Sequence, residues 1–198
     1  MAHYQGYIYV PHGSYQEWRD NTLGNGYDVD YFASEQCYDF CSLLYYQYGL
    51  RLITKAGGGG AQDCWIYSRQ VNSQTPFISV FRVQDIKRGD IVVFGGGKWG
   101  HIAFADQDYS QRTYNFGKQR YEINCLGQNQ VGNGSGYPVT VTPIGLDGFL
   151  GIFRNTYWQG DTPEPEPESG YNKHRYNFVL FNRRKRQEKW TKKPLKQK

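Results

Sequence analysis

Between Gly89 and Phe153 the chain carries five short apolar runs: DIVVF (90–94), HIAFA (101–105), RTYNF (112–116), RYEINCL (120–126) and FLGIF (149–153). Each is parted from the next by glycine-rich or polar residues, and runs of this length and make-up read as β-strands. A helical stretch precedes them. Cys37, Phe40, Cys41, Leu44 and Tyr48 recur at helical spacing, with Ser34 as a candidate N-cap and Gly49 as a stop. This predicts a helix over about 35–48. GGGGAQDCWIYSRQ then predicts a flexible loop at Gly57 to Gly60 and a second, shorter helix. Helices followed by successive strands predict an α+β fold with an antiparallel sheet. No internal repeat is present.

Charge divides the chain. Residues 171–198 hold eleven Lys or Arg against one acid, Glu188, whereas residues 1–170 hold twelve bases and seventeen acids. DTPEPEPESG (161–170) lies between them, and its alternating Pro and Glu favour an extended spacer without apolar content. The expected organisation is a globular domain over 1–158, a Pro/Glu linker over 159–170 and a basic tail over 171–198. The first residues lack a basic n-region and an apolar h-region, so no signal peptide is expected. No run of about 18 apolar residues occurs, so no membrane span is expected. The 18 Tyr and 24 Gly suit a loop-rich protein whose aromatic hydroxyls either meet carbohydrate or peptide, or simply cover a sheet.

The four cysteines, Cys37, Cys41, Cys64 and Cys125, form no C-x-x-C pair and have no histidine at zinc-finger offset. Free thiols are expected, with Cys41, Cys64 and Cys125 as buried small hydrophobes. Cys37 falls in the first turn of the predicted helix, where unpaired N–H groups and the helix dipole can lower a thiol's pKa. On position alone, a buried structural cysteine fits better than a nucleophile. His3, His12 and His174 lie in polar or basic segments, whereas His101 opens a strand after a glycine-rich turn. Gln128 and Asn129, in CLGQNQ (125–130), offer carbonyl oxygens to an imidazole N–H. Turn formation explains Asn129 as well.

The order of these pieces is distinctive. Gln36, Cys37 and Asp39 start a helix; Gly89, Asp90 and Phe94 frame a strand; Gly100, His101, Ile102 and Ala103 open the next; Gln128 and Asn129 end a later one. Over about residues 20–155 this resembles the CHAP family, the cysteine- and histidine-dependent amidohydrolases/peptidases. The resemblance implies a papain-like fold with N-terminal helices on an antiparallel sheet, Cys37 as nucleophile and His101 as general base. It further implies cleavage of an amide in bacterial peptidoglycan by a phage endolysin or virion-associated lysin, as an endopeptidase or an N-acetylmuramoyl-L-alanine amidase. Such a protein would sit in the host cytoplasm before lysis or in a virion, and act at the cell wall. Phage members commonly carry an acid that orients the histidine, where this chain has Gly127. Asn129 is therefore assigned that role, with Gln128 as second choice.

Asp28, Asp30, Phe32, Ser34 and Asp39 stand at the relative positions of an EF-hand loop entering a helix, with Ala33 and Asp39 where the usual loop has Gly and Glu. Three carboxylates and two backbone carbonyls would form a structural Ca2+ site, a feature the resemblance also implies. The basic tail, with FVLF (178–181) in its middle, suits anionic wall polymers or virion proteins. Nucleic acid is the weaker match, resting on the tail alone. The rival of another class is a non-catalytic module of the same fold, binding the wall or serving in the virion.

Overall fold

The computed structural model describes residues 13–30, 35–55, 59–69, 76–130 and 136–158. All belong to the first of two units, Met1–Pro163. The predicted linker and basic tail, with His3, His12 and His174, lie outside the described residues.

Three helices come first: α1 (Tyr15–Thr22), α2 (Cys37–Gln47) and α3 (Asp63–Ser68). Seven strands follow: β1 (Phe77–Val80), β2 (Ile91–Phe94), β3 (His101–Ala105), β4 (Thr113–Asn115), β5 (Arg120–Gly127), β6 (Thr140–Gly145) and β7 (Phe149–Asn155). They form one sheet in the order β1-β7-β2-β3-β5-β4, with β6 paired to β5, and each paired neighbour runs antiparallel. The α+β expectation therefore holds.

Strand alternation divides the apolar residues between two faces. Ile91, Val93, Ile102, Phe104 and Phe153 join Trp18, Phe40, Leu44, Tyr45 and Trp65 in a core under the helices. Val92, Phe94, Ala103, Ala105, Ile123 and Ile152 form a second cluster on the other side. Asp90, with no exposed surface, ties β2 to β7: Arg154 donates to it from Nε at 2.9 Å and from Nη2 at 2.8 Å.

Two local signals shape α2. Gly49 at φ 70° allows a left-handed turn in which Gly49 N–H reaches Tyr46 O and Leu50 N–H reaches Tyr45 O, a Schellman stop. At the other end the helix begins at Cys37 with Gln36 as cap, later than the predicted start. Ser34 lies outside the described residues. Asp39 explains the start, because its carboxylate accepts the Gln36 N–H at 3.0 Å and closes the first turn there. Helix α1 and strands β1 and β6 were not foreseen. A capping box, Ser14 with Glu17, starts α1.

Candidate active site

Cys37 is the first residue of α2, and its side chain is 9% exposed. The ladder between β3 and β5 pairs only Phe104 with Leu126 and Ala105 with Cys125. At its His101 end, β3 thus keeps an edge to which another group can bond, and the backbone of Ile102 there favours the ionised form of the Cys37 thiol. The backbone of Tyr38 and of Cys37 itself acts in the same direction. These groups favour thiolate, as expected at a helix start, yet burial outweighs them and pushes the thiol up to about 11. The expected lowering is thereby corrected.

His101 opens β3 opposite Phe94 of β2, and its ring stacks on that phenyl at 6.4 Å between centroids. Gly100, just before it, adopts φ 66°, and a Cβ there would lie 2.5 Å from the Phe94 carbonyl oxygen. Only glycine fits that turn. Burial holds the imidazole below its ordinary pKa, opposed by a hydrogen bond to Gln130. Thiol and imidazole are therefore both neutral near pH 7. A cavity of about 260 Å³ opens on the Phe94 side of His101, lined also by Arg120, Ile144 and Asp147.

The amides at the end of β5 have divided tasks. Gln128 is fully buried, accepts the Tyr27 N–H at 2.9 Å and donates to Tyr27 O at 2.7 Å and Gln36 O at 3.2 Å. Asn129 takes φ 55°, gives its N–H to Tyr137 O, and keeps its Oδ1 buried without a partner among the described residues. Neither is the group recorded on the His101 ring. That group is Gln130, whose Oε1 lies 3.3 Å from His101 Nε2. The ring's hydrogen-bond partner among the described residues is thus Gln130, while Asn129 and Gln128 bond elsewhere; the positive φ at Asn129 turns the chain between Gln128 and Gln130. The last letter of CLGQNQ was the available signal.

At the start of α2, carboxylate oxygens of Asp28, Asp30 and Asp39 lie within 4.8 Å of one another. Among the described residues, Asp28 Oδ1 is buried without a hydrogen-bond partner. Asp39 accepts from Gln36 N–H and Val29 N–H, but burial and the nearby Asp30 push its carboxyl up to about 7. Phe32 and Ser34 lie outside the described residues. Crowded carboxylates with an orphaned oxygen have the donor chemistry of a hard divalent cation site.

The model of the CHAP domain matches residues 22–129, a span that contains Cys37, His101 and the acid cluster. The chain belongs to the CHAP domain family. It is 27% identical over 139 residues to the D-alanyl-L-alanine endopeptidase of Streptococcus phage B30, a match covering 66% of this chain and 28% of that protein. The CHAP chain thus spans under a third of that relative. The crystal structure of the wild-type endolysin LysIME-EF1 is also similar, at TM-score 0.49 and 20% identity, over 72% of this chain and 63% of that one. Among the described residues no helix is long and apolar enough to cross a membrane.

Proposed function

We propose that this chain is a peptidoglycan hydrolase of the phage lysin type, working through Cys37 and His101. One observation carries the reading: within a CHAP domain, the Cys37 thiol lies at the start of α2 against the backbone of Ile102, next in chain to His101. Because both groups rest neutral, the thiol proton passes to the imidazole as sulfur attacks the amide carbonyl. A C–S bond forms, and N–H groups at the start of α2 stabilise the oxyanion. The imidazolium protonates the leaving amine as the C–N bond breaks. Water, deprotonated by His101, then releases the acyl group as a carboxylic acid and restores the thiol.

The curated relative, a D-alanyl-L-alanine endopeptidase, supports a peptide bond of the wall as the target over the amidase bond. In the acid cluster Asp28, Asp30 and Asp39 would hold Ca2+, which would cancel their mutual repulsion. Asp39 also accepts the Gln36 N–H, so order in this loop reaches the residue before Cys37. The basic tail would add attraction to anionic wall polymers, or to virion proteins in a virion-associated lysin.

The test is release of soluble fragments from purified Gram-positive peptidoglycan by the full chain and by Cys37→Ala, each with calcium and with chelator. Release abolished by Cys37→Ala supports the hydrolase, and the new amino termini identify the bond. Wall binding without release by either form would overturn it in favour of the non-catalytic module.

A further inference from the structure

Gln130 is tied down on three sides. Its Nε2 donates to Cys125 O at 2.9 Å and to Thr140 O at 2.8 Å, one carbonyl on β5 and one on β6. Both amide hydrogens are thereby used, so the orientation of the amide is settled by its partners. The reversed amide would set its oxygen against two carbonyl oxygens. The group left facing His101 Nε2 is Oε1, which can only accept.

The space for this arrangement comes from Gly127. A Cβ at that position would lie 2.8 Å from Gln130 Oε1, 2.9 Å from Gln130 Cδ and 2.9 Å from Ala103 Cβ. The Gln130 amide fills the volume that a side chain at residue 127 would occupy. The turn through Asn129 at φ 55° brings it back over the end of β5.

We propose that Gln130 is the positioning residue of the active site, holding neutral His101 as the Nε2–H tautomer and leaving Nδ1 to receive the Cys37 proton. An acceptor-only partner on one ring nitrogen puts the proton on that nitrogen. The role of Nδ1 rests on the proposed hydrolase mechanism; the tautomer does not. The missing acid at residue 127 is thus replaced by an amide three residues later, reached from the opposite side of a turn. The amide keeps the ring oriented without adding a negative charge.

The tautomer can be read directly from long-range ¹H–¹⁵N correlations of the ¹⁵N-labelled full chain, with His101 assigned by the loss of its signals in His101→Gln. The expected result is a protonated Nε2 and an unprotonated Nδ1 at neutral pH; a protonated Nδ1 would overturn the proposal. Gln130→Leu is expected to mix the tautomers and lower kcat by roughly 10–100-fold at unchanged KM. An unchanged tautomer and kcat in that variant would also overturn it. Should Gln130→Leu not fold, Gly127→Ala serves, since its methyl displaces the amide, and the unmutated protein's tautomer decides in any case. A protein with the Nε2–H tautomer that releases no fragments would sink the hydrolase reading alone. An active enzyme with the other tautomer would sink the present proposal alone.

Discussion

Gln128 donates to the backbone carbonyl of Gln36, 3.2 Å away, and so couples the end of β5 to the residue before Cys37. The same side chain holds both backbone groups of Tyr27, next to Asp28. One buried amide thus anchors the start of α2 and the entrance to the acid cluster.

Removing that amide should loosen the site without touching its chemistry. Gln128→Leu removes the side-chain partner of buried Tyr27 N–H and Tyr27 O and of the half-buried Gln36 O. The expected loss is about 2–4 kcal/mol, since each stranded buried group costs roughly 1–3 kcal/mol before relaxation. Urea unfolding measures it. A change below about 0.5 kcal/mol would mean that water or a local shift replaces the clamp.

Neutral resting groups make a definite prediction for pH. With the Cys37 thiol at about 11, its alkylation by iodoacetamide should accelerate from neutral pH toward that value. A resting thiolate–imidazolium pair would instead react at a steady rate down to mildly acid pH. Turnover needs neutral His101, so kcat/KM should fall only below about 6.5. Stability follows the same sign. The folded pKa of His101 lies below its unfolded value, so its contribution is present above pH 6.5 and lost as pH falls through the folded pKa.

Asp90 offers a contrast, because the strand motif that helped to single it out serves structure. It is fully buried and paired with Arg154 through two hydrogen bonds. Arg154→Met strands a buried carboxylate and should cost about 3–5 kcal/mol. Calorimetric unfolding would show the loss, while activity per folded molecule should stay near that of the unmutated protein. A large fall in that activity would place the pair in the chemistry after all.

Calcium should stabilise the fold in a pH-dependent way. The Asp39 carboxyl is raised from 3.8 to about 7, so the folded state holds its proton more tightly than the unfolded chain. In chelator, stability should therefore decline as pH rises from about 4 to about 7, and stay at the lower level above that. Saturating calcium should reverse the decline at and above pH 7, where the carboxylates are free to bind. Asp28→Asn should weaken the calcium response. A melting temperature indifferent to calcium from pH 5 to pH 8 would remove the cation site.

Much of the fold was legible locally. HIAFA became β3 with the predicted bounds, and DIVVF, RTYNF, RYEINCL and FLGIF became strands within a residue or two at either end. The missed elements carried quieter signals: the SYQE capping box of α1, the four-residue β1, and β6, where Pro143 interrupts a run of Thr, Val and Ile. Buried Tyr15, Tyr27 and Tyr45 show that part of the tyrosine excess builds the core.

The α+β layout, the place of Cys37 at a helix start and of His101 at a strand start, and the spacing of Asp28, Asp30 and Asp39 were all readable in local pattern. All of these follow from periodicity and turn residues, which act over a few positions. That the thiol is raised to about 11 shows up in the folded chain alone, because burial is the sum of contacts from distant segments. The folded chain alone also shows which of three neighbouring polar side chains reaches His101. That choice turns on a single positive φ at Asn129 and on the empty place at Gly127, and neither is visible until β3, β5 and β6 are side by side.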